Sequence, residues 1–277
     1  MNTEQSRRLM RVIWAGALLT FASVTQAGVI TLQNATATFS QGENFVVGHA
    51  IDAPGSVGPG NIEGPLQPTG WAIWSSGGED HTLAQTAAFE TDPFDPDLPL
   101  SGVGTALTVT LDFQYEDLHW GANSQKFNLG RFRLSVTTDD RSTFADGSAS
   151  GGDVTANWVV LDPSSASSTD TSTSFTELAD KSLLANADSA NLKQTYTVSA
   201  QTALTGITGI LLEALEDTSL ADVKNGPGRF PLDGNFVLTT FSLEASPLVA
   251  TPEPTTLALL GLGLAGLGFR ARKKKLN

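Results

Sequence analysis

The chain has 277 residues, 29 acidic against 16 basic, and a formal net charge of −13. It contains no cysteine, which excludes disulfides, thiolate catalysis and cysteine-ligated metals. So acidic a surface repels phosphate backbones and argues against nucleic acid as a partner.

The N-terminus reads as a secretory signal peptide over residues 1–27. Arg7, Arg8 and Arg11 form a positive start, Val12 to Val24 is a short apolar run, and Thr25-Gln26-Ala27 places small residues before an expected cleavage after Ala27. Beyond the two ends, residues 28–254 hold 28 acidic and eight basic residues, a net −20. An exported domain without disulfides is held by its own core, and about 220 residues suffice for one β-sandwich domain, expected over 28–247.

Period-two alternation dominates the interior. Ala106 to Tyr115 puts Leu107, Val109, Leu111, Phe113 and Tyr115 on one face and Thr108, Thr110, Asp112 and Gln114 on the other. Asn128 to Thr138 repeats the pattern, with Phe132, Leu134 and Val136 opposite Arg131, Arg133, Ser135 and Thr137. Further strands are expected at Ala35–Phe39, Trp71–Trp74, Leu83–Phe89, Asn157–Leu161, Gln194–Val198, Gly209–Leu215 and Phe236–Leu243. The last has apolar residues in both registers, as a strand covered on both sides would. Pro54 to Gly70 and Asp92 to Asp97 are rich in Pro, Gly and Asp and read as loops. Ser164 to Ser174 reads as a mobile surface loop, and Glu177 to Ala187 as a turn or two of helix at most. Short strands without crossover helices predict an all-β, antiparallel β-sandwich, of the jelly-roll kind.

Residues 248–277 form a distinct tail. Pro252-Glu253-Pro254 precedes the fifteen-residue apolar run Thr255 to Phe269, and Arg270, Arg272 and Lys273 to Lys275 follow. A short apolar helix backed by cations is a membrane stop that leaves everything before it outside. The arrangement resembles the PEP-CTERM sorting signal, in which a Pro-Glu-Pro box precedes a short transmembrane helix and a basic tail. That resemblance implies processing by exosortase, a membrane-embedded transpeptidase-like enzyme of Gram-negative bacteria that make exopolysaccharide. The expected location is therefore exported, membrane-anchored through the C-terminal helix, then cell surface or extracellular matrix.

A second resemblance concerns the domain. His49-Ala50-Ile51-Asp52, a long loop, then Thr69-Gly70-Trp71 are similar to the early part of discoidin-like, galactose-binding-like domains. Leu129 to Thr137, Gly206 to Ile210, Gly226 to Arg229 and Gly234 to Leu238 are similar to later parts. The sequence departs from that pattern at Ala53, where a glycine is usual, and lacks the cysteine pair of many members. The resemblance implies a jelly-roll binding module, and a structural calcium whose matching positions are Glu43, Asp52 and Glu244. Asp139 and Asp140 are a rival cluster for a cation that takes six to eight oxygens.

Catalytic constellations are absent from the pattern. His49, His81 and His119 lie on separate segments without metal-ligand spacing, and no G-x-S-x-G occurs. Glu116-Asp117 near Trp120 is the glycosidase-like choice, although a solvated strand end is the simpler reading. Aromatics are the better clue, because indole faces stack on sugar C–H faces. Trp120, with His119 beside it, is the candidate ligand residue on a loop, while Trp71, Trp74 and Trp158 read as packing. Arg131 and Arg133 are candidate ligand residues on a polar strand face, and cross-strand pairing with acids is their simpler use. The expected function is a carbohydrate-binding-like module without enzymatic activity, with exopolysaccharide as a candidate partner. The alternative is a structural or adhesive matrix protein without a small ligand, with a glycoside hydrolase as a distant third.

Overall fold

In the computed structural model the alternating segments form antiparallel strands. The structure describes residues 27–53, 56–58, 67–75, 83–98, 102–116, 126–187, 193–223, 225–231, 233–249 and 262–263. In chain order the strands among them are β1 (Gly28–Ile30), β2 (Leu32–Ala37), β3 (Val57–Gly58), β4 (Gln67–Pro68), β5 (Trp71–Ala72), β6 (Gln85–Thr91), β7 (Thr105–Phe113) and β8 (Arg131–Thr137). The second half adds β9 (Val159–Val160), β10 (Asp162–Ser168), β11 (Thr173–Glu177), β12 (Leu183–Ala187), β13 (Gln194–Thr202), β14 (Gly209–Ala214), β15 (Val237–Leu238) and β16 (Thr240–Pro247). Helical structure within 27–249 is limited to short 3-10 turns among the described residues.

Two large sheets result. The first runs β1-β16-β7-β13-β10, and the second β11-β12-β8-β14-β6-β2 with β9 paired to β8. Each gives one face to a shared core. β7 contributes Leu107, Val109, Leu111 and Phe113, all at most 2 % exposed, as its strict alternation predicts. From the second sheet Phe132, Leu134, Val136, Ile210 and Leu212 meet them. Aromatic rings close the gap between the layers: Phe89 stacks on Phe241 at 4.6 Å, and Phe132 lies parallel to Tyr196 at 6.1 Å. Full burial of side chains of this size stabilises by about 1.5–3 kcal/mol each. The Tyr196 hydroxyl donates to the Leu129 carbonyl at 3.2 Å, so its polar atom is satisfied inside the core. The antiparallel β-sandwich expected from the alternation is the architecture found.

Three local expectations need correction. Ser164 to Ser174 is no mobile loop, because β10 pairs with β13 and β11 with β12 across it. Glu177 to Ala187 holds no helix; Leu183 to Ala187 extend as β12, where Leu183 pairs with Phe132 and Leu184 with Arg131 of β8. Most polar side chains of β10 and β11 sit on outward positions of end strands, where alternation carries little apolar signal. Phe236–Leu243 is two strands, split at Thr239, whose N–H and hydroxyl both bond the Asp112 carbonyl. Its apolar residues occupy both registers because the chain changes sheets there, β15 pairing with β5 and β16 with β7.

Two satellite clusters flank the core. Phe45, Tyr115, Phe127 and Phe230 form an aromatic chain with Ala72 and Val237, with Phe127 and Phe230 stacked at 4.5 Å. On the outer face of the second sheet, Ala88 and Leu211 are covered by Phe144, Ala145, Val154, Ala156 and Trp158 from the segment between β8 and β9. Phe144 rests edge-on against Trp158 at 5.4 Å, directly over Gly209, where a Cβ would come 2.5 Å from the ring. That covering segment forms one side of the candidate site.

Candidate binding cleft

A bulge in β2 builds the first wall. The β2–β6 register shifts between Gln33 and Thr36, and Asn34 takes a left-handed backbone at φ 48°. Asparagine tolerates that region better than most residues, and bulges re-aim the side chains they carry. Gln33 Nε2 and Asn34 Nδ2 both donate to Glu90 Oε2, at 3.1 and 3.0 Å. Glu90 is only 4 % exposed. Both bonds fall on one oxygen, so Glu90 Oε1 has no protein donor among the described residues.

The covering segment supplies the second wall. Arg141 Nε donates to the Thr91 carbonyl and Nη2 to Thr91 Oγ1, each at 2.8 Å, which fixes the guanidinium plane and uses neither hydrogen of Nη1. Asp140 accepts from Ser142 N and Oγ at 2.9 and 2.6 Å and starts the turn that carries Arg141. The Ser142 hydroxyl and N–H hold the Asp140 carboxyl below its ordinary range. Asp146 accepts from Ser148 N at 2.9 Å, and that bond holds its carboxyl low as well. The turn after Asp146 is sewn onto β2 by Ala37 N to Ser148 O, Gly152 N to Ala37 O and Gly147 N to Thr36 Oγ1, at 3.0, 3.0 and 2.7 Å.

Between these walls lies a cleft of about 470 Å³, lined among others by Asn34, Glu90, Arg141, Phe144, Asp146 and Asp153. Three carboxylates and one guanidinium converge on it. Such a set accepts hydroxyl hydrogens in several directions and donates through one planar fork, which suits a neutral polyhydroxyl ligand. Both walls are hydrogen-bonded to the sheet, so the cleft is formed before any ligand arrives.

The sequence singled out none of these lining residues. Glu90 alternates with Phe89 and reads as a solvated outward position; only the small Ala88 beside it hints that something covers that face. The bulge at Asn34 has no sequence signature beyond an asparagine within a strand.

The residues that the sequence did single out lie elsewhere. Arg131 donates to Ser182 Oγ, the Glu216 carbonyl and Asp180 Oδ2, at 2.9, 2.9 and 2.7 Å. Arg133 forks onto its register partner Glu213, at 2.6 and 2.8 Å, and the hydrogen bond to Glu213 raises its pKa. The two arginines are brought together around Asp180, with every fork engaged by protein acceptors. His49 Nδ1 meets Asp52 Oδ2 at 2.7 Å. Glu43, Asp52 and Glu244 are all exposed, and no group of three or more His, Asp or Glu side chains suited to a metal forms among the described residues. Asp139 is bonded to Asn157. Glu116 pairs with Lys193 at 3.1 Å. Trp71 is fully buried as packing predicts and Trp158 packs against the outer cluster, whereas Trp74 is 41 % exposed and is not core. His81, Asp117, His119, Trp120, Pro252, Glu253, Pro254 and the basic tail lie outside the described residues.

Fold and cleft together define an all-β domain of two antiparallel sheets with a preformed polar cleft on its outer face. The tail supplies the rest: residues 250–273 match the PEP-CTERM protein-sorting motif. That motif marks the chain as exported, gives it a C-terminal membrane-anchoring sorting signal, and implies exosortase as its processing partner. Among the described residues no helix is long and apolar enough to cross a membrane, and the apolar run after Pro254 falls almost wholly outside them. No curated protein and no solved structure matches the chain.

Proposed function

We propose that exosortase delivers a jelly-roll domain, residues 28–247, that binds carbohydrate through the Glu90–Arg141 cleft at the cell surface or in the exopolysaccharide matrix. The strand order supports the jelly-roll part. Taking β1, β6, β7, β8, β12, β13, β14 and β16 as one to eight, the first sheet contains 1-8-3-6 and the second 2-7-4-5, the order of nested Greek keys. The domain limits are supported by β1 starting at Gly28 and β16 ending at Pro247, three residues before the sorting motif begins.

The single observation that carries the binding reading is the buried Glu90 carboxylate, which lines the cleft and keeps one oxygen without a protein donor. Binding is favoured over hydrolysis because a glycosidase acid must hold its proton near neutral pH. Asp146 is held low by the Ser148 N–H and is unsuited to that acid's role. A net −20 between the two ends repels uronate-rich polymers, so the ligand is a neutral or amino-sugar glycan. Trp120 remains the candidate stacking residue. The test is a glycan array probed with the protein after export and processing. Selective retention of neutral or amino-sugar glycans supports the reading; no retention of any glycan favours a matrix protein without a small ligand.

A further inference from the structure

The first strand begins where the mature chain is expected to begin. Cleavage after Ala27 leaves Gly28 as the first residue, and Gly28 opens β1, the end strand of the first sheet, opposite Ala245 of β16. Ala27 is exposed, so the bond to be cut is accessible in the folded arrangement. Asp97 lies directly on Gly28: a Cβ built there would sit 2.2 Å from Asp97 Oδ2 and 2.4 Å from its Cγ. A backbone nitrogen is about 2.5 Å from its own Cβ position, so the Gly28 nitrogen lies within about 4.7 Å of that carboxylate oxygen.

Asp97 is not there by accident of a loose loop. The Thr31 N–H donates to Asp95 Oδ2 at 2.6 Å, Asp97 N donates to Asp95 Oδ1 at 2.9 Å, and Asp92 N donates to the Thr31 carbonyl at 2.8 Å. Asp95 itself is 4 % exposed. Pro93 and Pro96 stiffen the same turn. The loop is therefore stitched to Thr31, directly after β1, and it carries the Asp97 carboxylate back along the strand to its first residue.

We propose that Asp97 is the receptor for the α-ammonium that signal-peptide removal creates at Gly28, so that cleavage locks the 92–98 loop against the end strand. Hydrolysis adds water across the Ala27–Gly28 peptide bond, leaving a carboxylate on Ala27 and an amine on Gly28 that takes up a proton. In the precursor the same nitrogen is a neutral amide and offers Asp97 no charge. A side chain at this position would displace the Asp97 carboxylate. The lock also steadies the end strand whose partner, β16, leads straight into the sorting tail. The proposal rests on cleavage after Ala27 and is independent of what the cleft binds.

The test uses the full chain exported and processed in its host. Trace acetylation of the Gly28 amine at pH 7 should run about threefold more slowly in the wild type than in Asp97→Asn, the effect of about half a pKa unit on an α-amine. Hydrogen exchange of the 92–98 peptide should be slower in processed protein than in precursor held uncleaved by Ala27→Leu, and Asp97→Asn should exchange like the precursor. Equal acetylation rates, equal protection before and after cleavage, or a mature N-terminus other than Gly28 would each overturn the proposal.

Discussion

Removing the Arg133–Glu213 fork separates a structural from a ligand-binding use of the polar face of β8. The two residues face each other in the β8–β14 register and share two hydrogen bonds, at 2.6 and 2.8 Å. Their side chains are 25 % and 18 % exposed, and Asp180 stands 3.7 Å from the same guanidinium. Exposed pairs contribute about 0.2–1 kcal/mol, while hydrogen bonds to charged groups reach about 1.5–3 kcal/mol. A half-buried bidentate pair falls between, so the coupling in a cycle of Arg133→Ala, Glu213→Ala and the double variant should be about 1–2 kcal/mol. Urea unfolding at constant slope reads it directly, and for a domain of this size Arg133→Ala should lower Tm by about 3–8 °C. Arg133→Lys keeps the charge but loses the fork and should recover less than half. Glycan binding should stay unchanged throughout. A coupling below about 0.3 kcal/mol, or loss of binding at full stability, would refute the structural assignment.

Other outcomes follow from the same geometry. Gly209→Ala places a Cβ 2.5 Å from the Phe144 ring and should cost about 1–3 kcal/mol while loosening the covering segment, measured by hydrogen exchange over 141–158. Asp95 opposes its own burial with hydrogen bonds from Thr31 and Asp97 that bring its pKa below the ordinary value, and hydrogen bonding also lowers Asp180 and Asp217. Lowered carboxyls contribute stability above their unfolded pKa and lose it as pH falls through the folded one, so Tm should hold from pH 7 to about 5 and drop below about 4. Asp95→Asn should flatten that drop. Intact mass of protein from a host with exosortase should lack Arg270 to Lys275, and recovery of the full tail on most molecules would contradict processing.

How much was legible depends on what each residue faces. β7 and β8 could be read because one face meets the apolar core and the other carries polar side chains, so Leu107 to Phe113 and Phe132 to Val136 alternate without exception. The sorting tail was legible because membrane insertion and recognition act on sequence-local chemistry, and the sorting-motif match falls on the same residues. β10 and β11 were hidden because their outward positions are mostly Ser, Thr and Asp, which look alike in a loop and on an end strand. The cleft was hidden for a different reason. Its walls come from β2, β6 and the segment before β9, so Glu90 and Arg141 meet only through a bulge and a covering layer that no local pattern announces. Arg131 and Arg133 were visible as a pair on one face, yet what engages them, Asp180 and Glu213, is fixed by the register between β8 and β14 and by the turn before β12.

Glu90→Gln tests whether the domain meets its glycan in the cleft. The substitution keeps the shape and retains an acceptor oxygen for Gln33 and Asn34 while removing the charge that faces the cleft. Calorimetric titration of wild type and variant with the tightest neutral oligosaccharide from the array should show about tenfold weaker binding by the variant, roughly 1.4 kcal/mol, with Tm within about 2 °C of the wild type. Equal affinity in both proteins would contradict the account and move the site away from the cleft.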